Sequence, residues 1–534
     1  MRDVCEAGHA GEENGKMLVI EHFERGAARF RNRAAVVEGD SSLTYAEMED
    51  RMTRIAQGLL RSGVPIDSSV ALLSPNHSMV LACQYAIFKA GMLWVPINYR
   101  NSVTDNLAQL GKYDTRVLFF HSSLREHAVA ASEALSELKL CVCIDARVEG
   151  FPSLSDWFAE EGGEAVAFPI REMEDAVAIS STGGTTGEPK GAIHTNRSIE
   201  AVIASVYALF HFDEPPVHLI VAPLTHAAAI FHYALLPRGG TQILLSSTDP
   251  LAVLEAIQQH RVSVVYLPPT LIYMVLAHPR LKEFDLSSLR YLLYGAAPMS
   301  VDKLREACDV FGPILIQSYG QTECLQFTTV LTPKDHEEIL ADPSLQHRLA
   351  SVGRSGPFSR TEIVTEAGEV AADDEMGEIA FRSAMQMTEF YKDPAATAAI
   401  RRNGWQFSGD LGRRDADGYI YIVDRKRDMI ISGGFNVFPG EVEQAVLGHP
   451  AVLDCVVVGI PDEKWGEMVT AAIEVKDGMS IDTAELLALC KEKLGSIKAP
   501  KQIDIWPELP RSTAGKTLRR AVRDHYWAGM DRKI

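Results

Sequence analysis

The sequence predicts an α/β protein. It has a large amino-terminal domain of layered, mainly parallel sheets with helices, a small antiparallel β subdomain, and a small α+β carboxy-terminal domain. At 534 residues the chain is too long for one hydrophobic core. Apolar strand candidates alternate with helix candidates as far as residue 294, which is typical of parallel sheets covered by helices. Between residues 351 and 424 short strands separated by turn pairs replace that pattern.

The first helix is predicted over residues 43–63, where Thr44 and Glu47 form a capping box. Further helices are predicted over residues 77–89 and over residues 250–260, the latter with Asp249 as its cap. Strands of the parallel sheets are predicted over residues 70–74, 93–98, 117–121, 140–145, 219–223, 241–245, 262–267 and 289–294. Short antiparallel strands are predicted over residues 361–364, 377–382 and 419–423, and a separate β/α core over residues 452–460, 469–475 and 486–494. The chain is therefore divided into a flexible tail (1–17), a large domain (18–424) and a small domain (425–534).

The charge of the chain excludes some classes of partner. With 52 basic and 71 acidic residues the formal net charge is −19, which argues against binding of nucleic acid or of an anionic membrane. The excess of acid lies wholly in residues 1–424, because residues 425–534 hold 16 basic and 16 acidic residues. The polar amino terminus has no apolar stretch typical of a secretory signal, and eight scattered cysteines are typical of reduced thiols. We therefore expect a cytoplasmic protein without a membrane span.

One loop has the composition of a triphosphate-binding site. Residues 181–191 read STGGTTGEPKG, after a strand predicted over residues 176–180 and before a helix predicted from about Asn196. Glycines let the backbone present N–H groups to an anion, the hydroxyls add neutral donors, and Lys190 adds a positive charge. The loop is not a Walker A motif, because Pro189 precedes Lys190 and Gly191 follows it.

Further polar stretches follow apparent strand ends. They are Gly295-Ala-Ala-Pro, Tyr319-Gly-Gln-Thr-Glu, Gly409-Asp410, Asp424-Arg-Lys-Arg-Asp and Gly515-Lys516. With these motifs in order, residues 18 to 525 resemble the adenylate-forming superfamily of acyl-CoA synthetases, peptide-synthetase adenylation domains and firefly-type luciferases. The resemblance implies an acyl-CoA synthetase that uses ATP to make an acyl-adenylate and then transfers the acyl group to CoA. It also implies Mg²⁺ as cofactor, and homodimers are common in the family.

The resemblance implies roles for individual residues. Glu323, with Thr182 nearby, would hold the Mg²⁺, which needs only about one protein carboxylate because it keeps phosphate and water ligands. Tyr319, Gly295, Ala296 and Ala297 would form the adenine slot, with Gln317 at the adenine edge. Asp410 with Arg425 would bind the ribose hydroxyls. The full set implied for ATP and AMP is Ser181, Thr182, Gly183, Gly184, Thr185, Thr186, Gly187, Lys190, Gly295, Ala296, Ala297, Gln317, Ser318, Tyr319, Gly320, Thr322, Asp410 and Arg425.

The implied catalytic residues are Lys516, His226 and Glu323. Lys516 would place a cation where the carboxylate approaches the anionic α-phosphate, and His226 falls at the family's PxxH position between the acyl and thiol sites. The carboxy-terminal domain would rotate about Arg427, where the family usually has Asp or Lys. In its second orientation Ser432, Gly433, Gly434 and Trp465 would line the CoA tunnel.

The implied acyl pocket consists of His226, Ala227, Ala228, Gly295, Ser318 and Gly320. Because nearly all these residues are small, we expect a bulky hydrophobic acid that buries much apolar surface, and not acetate or propionate. Inward-folded Tyr233, Tyr266 or Leu325 would instead refill the space. Three other functions remain open: loading of a carrier protein, only one half-reaction, or an inactive homologue that binds nucleotide. A serine hydrolase is not indicated, because the sequence has no G-x-S-x-G.

Overall fold

The computed structural model describes residues 17–159, 165–182, 189–225, 230–297, 299–426, 428–462, 465–511 and 517–528. Its fold class is the predicted one: a large α/β part with mainly parallel sheets, an antiparallel subdomain and a small α+β part. The boundary at residues 424–425 stays a prediction. Within the described ranges no helix is both long and apolar enough to cross a membrane. The seven cysteines in those ranges are free thiols.

The first sheet contains the two strands that flank the predicted phosphate loop. The chain forms α1 (Val19–Arg29), β1 (Ala34–Glu38), β2 (Ser41–Thr44), α2 (Tyr45–Arg61), β3 (Ser69–Leu73), α3 (Ser78–Lys89), β4 (Leu93–Ile97), α4 (Val103–Lys112), β5 (Val117–Phe120), α5 (Arg125–Ala134), β6 (Leu140–Cys143), α6 (Leu154–Ala159), β7 (Ala176–Ser181) and β8 (Gly191–Thr195). Strands β6, β5, β3, β4, β7 and β8 form a six-stranded sheet in that order. Its pairs are parallel except β7 with β8. The predicted capping box of α2 is confirmed, since Thr44 and Glu47 each accept from the backbone N–H of the other.

A second sheet of nine strands carries Gly295 and residues 317–320 of the predicted nucleotide site. The chain continues through α7 (Asn196–Leu209), β9 (Val217–Ile220), α8 (His232–Leu235), β10 (Thr241–Leu244), α9 (Pro250–His260), β11 (Val264–Tyr266), α10 (Pro269–Leu276), β12 (Tyr291–Gly295), α11 (Val301–Phe311), β13 (Leu315–Gln321), β14 (Cys324–Leu331), α12 (Pro333–Ala341) and β15 (Arg354–Ser355). Short 3₁₀ helices cover Ser122–Leu124, Leu236–Arg238, Leu281–Glu283 and Pro343–Ala350. The sheet order is β15-β14-β13-β12-β11-β9-β10-β1-β2, with parallel pairing from β13 to β1.

The large sheet is buried on both faces, as its apolar strands predict. Leu293 of β12 and Ile316 of β13 belong to a core shared with α2, α3, α7 and α8. Leu292 and Leu315, one residue earlier on the same strands, belong to a second core with α9, α10 and α11. Because side chains alternate along a strand, each later residue of β13 can be assigned to one of these two faces.

The antiparallel subdomain is built on one strand that the sequence did not reveal. It comprises β16 (Ser359–Val364), β17 (Gly377–Ser383), α13 (Pro394–Ala399), β18 (Arg401–Arg402), β19 (Trp405–Arg414) and β20 (Ile420–Arg425). Strand β19 pairs with β17, β18 and β20. Its sequence contains Gly409 with φ +79° and charged residues, so no regular alternation marks it. Asp410 lies on this strand.

The remaining chain forms a sheet with its own core. Its elements are β21 (Ile430–Ser432), β22 (Phe435–Val437), α14 (Pro439–Leu447), β23 (Val452–Asp462), β24 (Gly466–Val475), α15 (Thr483–Lys498), β25 (Gln502–Trp506) and α16 (Arg519–Trp527). Strands β22, β21, β24 and β23 pair antiparallel in that order, and β25 pairs parallel with β24. The core between this sheet and helices α14 and α15 includes Val442, Val457 and Leu486.

Candidate active site

The predicted phosphate loop is the connection of a β-hairpin. Strand β8 follows it directly and precedes helix α7, whereas the sequence had suggested a direct passage from loop to helix. At the base of the hairpin Thr182 N donates to Lys190 O at 2.7 Å, and Lys190 N donates to Thr182 Oγ1 at 3.2 Å. Ser181 accepts from the Tyr113 hydroxyl at 3.1 Å. The loop therefore has a fixed base, while Gly183, Gly184, Thr185, Thr186 and Gly187 lie outside the described residues.

The ends of β12 and β13 bring the predicted adenine residues together. Gly295 pairs with Ser318, and a Cβ added to Gly295 would lie 2.5 Å from the Ser318 carbonyl oxygen. Ala296 has a left-handed backbone (φ +62°), which is uncommon for a residue other than glycine, and is exposed beyond the strand end. Gln317 is buried, and its Oε1 lies 3.4 Å from the Tyr294 hydroxyl oxygen. Ala297 is half-buried next to this edge.

Tyr319, Asp410 and Arg425 form one cluster from three strands. The Tyr319 hydroxyl donates to Asp410 Oδ2 at 2.6 Å, and Arg425 Nε lies 3.5 Å from Asp410 Oδ1. Asp410 and Arg425 are paired residues of β19 and β20. Burial and the neighbouring Asp410 charge raise the pKa of Tyr319 well above its usual value, so the phenol stays protonated and can donate. The cluster offers both a carboxylate and a guanidinium to a hydroxyl-bearing ligand.

Glu323 lies within reach of the charges of this cluster and of the phosphate loop. Burial raises the pKa of Glu323, and the positive charges of Lys190 and Arg425 offset part of that rise. Lys190 Nζ lies 5.2 Å from the centre of the Phe390 ring. A half-buried carboxylate whose charged form is disfavoured is suited to a cationic ligand, which would restore the ionised form. Within the described ranges no group of three or more His, Cys, Asp or Glu could hold a metal. Mg²⁺ does not require such a group when phosphates supply its other ligands.

The backbone around Glu323 is held from three directions by residues that the sequence analysis missed. His194 Nε2 lies 2.9 Å from Thr322 O, and Gln406 Nε2 donates to Glu323 O at 2.8 Å. Met387 N donates to the same Glu323 carbonyl at 3.0 Å. Burial lowers the pKa of His194 to about 4, so the ring is neutral at pH 7 and Nε2 carries the proton that Thr322 O accepts. Residue types alone give no signal for these contacts, because all three donors lie far away along the sequence.

The segment leading to His226 is anchored by a buried asparagine. Asn76 Nδ2 donates to Ala222 O at 3.1 Å and to Leu245 O at 3.3 Å, and Asn76 Oδ1 accepts from Leu224 N at 2.8 Å. Asn76 is 8% exposed and follows strand β3. His226, Ala227 and Ala228 themselves lie outside the described residues.

Gly320 is small for a reason other than room for a substrate. A Cβ added to Gly320 would lie 2.6 Å from the backbone nitrogen of Gln326. Gly295 is constrained in the same way by the Ser318 carbonyl. Both glycines therefore allow close backbone packing, and their size is no measure of pocket width. Tyr233 is buried and accepts from Gln84 Nε2 at 2.6 Å, so this side chain is fixed in the core.

The predicted CoA residues form a hairpin turn. Gly433 (φ +59°) and Gly434 (φ +82°) join β21 to β22, with Ser432 buried at the end of β21. Gly433 N donates to Trp465 O at 2.7 Å, and a Cβ on Gly433 would lie 2.7 Å from the Trp465 ring. A two-residue turn with two positive φ angles requires glycine or asparagine. Arg427 and Lys516 lie outside the described residues.

Comparison with known proteins identifies the family. The family model "AMP-binding enzyme" matches residues 23–391, and "AMP-binding enzyme C-terminal domain" matches residues 441–516. The chain is 34% identical to a medium/long-chain-fatty-acid–CoA ligase of Mycobacterium tuberculosis, over 98% of this chain and 91% of that one. It is 36% identical to a feruloyl-CoA synthase of an Amycolatopsis species, over 92% and 96%. The solved structure of the amide bond synthetase McbA from Marinactinospora thermotolerans superposes with a TM-score of 0.86 at 29% identity, covering 95% of this chain and 99% of that one. The chain therefore belongs to the AMP-binding enzyme family and is an enzyme of the AMP-forming acid–CoA ligase class.

Proposed function

We propose that this enzyme converts a bulky hydrophobic carboxylic acid, ATP and CoA into acyl-CoA, AMP and pyrophosphate through an acyl-adenylate. One observation carries the proposal. Tyr319 and Arg425 both contact Asp410, and Glu323 interacts electrostatically with Arg425, Asp410 and Lys190, so groups suited to ribose and to phosphate are gathered around one carboxylate. That site adjoins the carboxyl ends of β12 and β13, where open α/β sheets bind ligands.

In this proposal the nucleotide is bound by groups that are already in place. The adenine lies between Tyr319 and the exposed backbone at Ala296, and the ribose hydroxyls bind Asp410 and Arg425. The β- and γ-phosphates bind the loop above the Thr182–Lys190 hairpin base. Glu323 and Thr182 would hold Mg²⁺, which when bound neutralises phosphate charge during transfer of the adenylyl group.

The two chemical steps need different residues. In the first, the carboxylate oxygen attacks the α-phosphorus and pyrophosphate leaves, with Lys516 offsetting the repulsion between the two anions. In the second, the CoA thiol attacks the carbonyl carbon of the mixed anhydride, and AMP leaves. We assign the approach of the pantetheine arm to the hairpin of Ser432, Gly433, Gly434 and Trp465, and the hinge between the two orientations to Arg427.

The size of the acid is inferred from three observations. Ala227 and Ala228 follow His226 in the sequence, and small side chains leave room for a large acyl group. Tyr233 is bonded to Gln84 of α3, which favours a position of its ring in the core over one in the acyl space. Two relatives are named for fatty acids and for ferulate, both of which are large and mostly apolar.

Acid-dependent pyrophosphate release, with the acylated product identified by mass spectrometry, tests this function. We expect pyrophosphate release with large acids, and acyl-CoA only when CoA is present. Pyrophosphate release without acyl-CoA would contradict the proposal and favour a carrier protein or an amine as acceptor. Acyl-CoA formed only from a supplied acyl-adenylate would identify an enzyme of the second half-reaction. Nucleotide binding without either product would identify an inactive homologue.

A further inference from the structure

A pair of polar side chains interrupts the apolar face of the large sheet next to the proposed acyl site. Ser318 follows Ile316 by two residues on β13 and therefore points to the same side, where the core shared with helix α8 lies. Gln326 Nε2 donates to Ser318 Oγ at 3.0 Å. Ser318 is 4% exposed, and Gln326 is half-buried. Burying such groups is unfavourable unless their hydrogen bonds are satisfied.

A bulge in the β-hairpin directs Gln326 toward Ser318. Tyr319 pairs with Thr329 and Gln321 pairs with Cys324, so the single residue Gly320 stands opposite residues 325–328 of β14. Gln326 in this bulge has a left-handed backbone with φ +49°, which glutamine adopts rarely. Bulges of this kind redirect a side chain and are frequent beside active sites.

The pair is only partly satisfied within the described residues. Ser318 Oγ accepts the bond from Gln326, which leaves the hydroxyl proton of Ser318 able to donate. The amide oxygen Oε1 of Gln326 accepts from no described group. One donor and one acceptor therefore lie close together on the face of β13 that carries Ser318, a residue implied for the acyl pocket.

We propose that Ser318 and Gln326 bind an oxygen substituent, a hydroxyl or a ketone, on the hydrophobic body of the carboxylic acid. The inference rests on the proposed function and narrows its substrate class to oxygenated aryl or polycyclic acids. A ketone accepts from the Ser318 hydroxyl, and a hydroxyl group also donates to Gln326 Oε1. An acid without the oxygen leaves both polar groups desolvated and unpaired, so the site rejects it more strongly than loss of one contact suggests.

Matched pairs of acids test the inference. The pairs are 4-hydroxycinnamate with cinnamate, and a keto-substituted fused-ring propanoate with its hydrocarbon analogue. For each acid kcat/KM of acyl-CoA formation is measured in the native enzyme and in Ser318→Ala and Gln326→Asn. Asparagine tolerates the left-handed backbone but is one methylene shorter, so it keeps the bulge and withdraws the amide. Ser288→Ala is the control, because Ser288 bonds Val262 O at the opposite end of the sheet.

We expect the native enzyme to prefer the oxygenated member of at least one pair by about tenfold or more. Each variant should reduce that ratio severalfold, mainly through KM for the acid, and KM for ATP should stay unchanged in Gln326→Asn. If the native enzyme converts both acids of each pair but prefers neither, the inference is overturned and the acyl-CoA synthetase function is retained. If a variant lowers kcat/KM equally for both acids of a pair, the inference is also overturned. That result is expected if Ser318 and Gln326 only stabilise the bulge. Absence of acyl-CoA with every acid would overturn the proposed function itself.

Discussion

Glu323 is held by its main chain while its side chain stays available to a ligand. Its carbonyl accepts from Gln406 and from Met387, and the preceding carbonyl of Thr322 accepts from His194. A carboxylate on a segment fixed by three bonds loses little conformational entropy when it binds a cation. The neutral state of His194, enforced by burial, is part of this support because an imidazolium would add a positive charge beside the site.

The motif residues could be predicted from the sequence, and their supports could not. Tyr319, Glu323 and Asp410 stand in short recognisable stretches, and the structure brings Tyr319 and Asp410 into direct contact. His194 and Gln406 lie in strands whose other residues are ordinary, so local pattern says nothing about their long-range partners. Gln326 was missed because its bulge depends on pairing between two strands.

Lys516→Ala is expected to separate the two half-reactions. The cation is needed where carboxylate meets phosphate, so acid-dependent exchange of pyrophosphate into ATP should fall by about 100-fold or more. Thioester formation from supplied acyl-adenylate should change by no more than a few-fold, because no anion then approaches the phosphorus. Lys491→Ala, at an exposed lysine of α15, is the control and should affect neither rate. Equal loss in both half-reactions would show that Lys516 has another role.

Two of the strands that the sequence patterns missed carry residues of the candidate site. Strand β8 makes the phosphate loop the connection of a hairpin. Its sequence, GAIHT, did not predict a strand because it is short and begins with glycine. Strand β19 presents Asp410 and is broken by a left-handed glycine at 409. In contrast, the long apolar strands and the capped helices α2 and α9 follow the sequence closely, because burial and capping are local properties.

The Gly433–Gly434 turn offers a test of the CoA assignment. Gly434 has φ +82° and no atom within 4 Å of an added Cβ, so Gly434→Leu strains the backbone and projects a side chain into open space. We expect thioester formation to fall about tenfold or more, equivalent to about 1.4 kcal/mol of lost stabilisation, while adenylate still accumulates. The measurement is single-turnover adenylate and acyl-CoA formation.

Gly478→Leu is the matched control for backbone strain. Gly478 has φ +73° and equally open surroundings, but lies between β24 and α15. Both substitutions force leucine into a left-handed conformation at a cost of about 1–2 kcal/mol. If both variants lost thioester formation to the same extent, strain and not obstruction would be responsible, and the pantetheine path would lie elsewhere.

At the scale of the whole molecule, several buried histidines make the folded protein less stable at acid pH. Burial lowers the pKa of His194, His218 and His336 to about 4, and burial lowers the pKa of His232 to about 3. All four are at most 1% exposed. His336 has a defined neutral form, in which Nδ1 donates to Thr332 O and Nε2 accepts from the Tyr294 hydroxyl.

We expect the free energy of unfolding to fall as pH decreases from about 6.5 toward 4. In this range the unfolded chain binds protons that the folded chain excludes, so each histidine removes about 1.4 kcal/mol per pH unit. Buried carboxyls with raised pKa, including Glu323 and Glu443, bind protons in the folded state and oppose part of the loss.

Thermal unfolding midpoints between pH 7.5 and 5 measure this effect. His336→Gln should lower the midpoint at pH 7.5 but reduce its pH dependence, whereas His525→Gln, at an exposed position of α16, should change neither. A midpoint independent of pH over this range, with the same profile in His336→Gln, would contradict the exclusion of protons from the buried rings.

The central claim is that this chain activates a bulky hydrophobic acid as its CoA thioester. The most direct measurement is kcat/KM for acyl-CoA formation with acetate, hexanoate, a cinnamate and a fused-ring acid under the same conditions. The account predicts that the cinnamate or the fused-ring acid exceeds acetate by at least about 100-fold, because each additional buried Å² of apolar surface contributes roughly 25 cal/mol. A preference for acetate, or pyrophosphate release without acyl-CoA for all four acids, would contradict it.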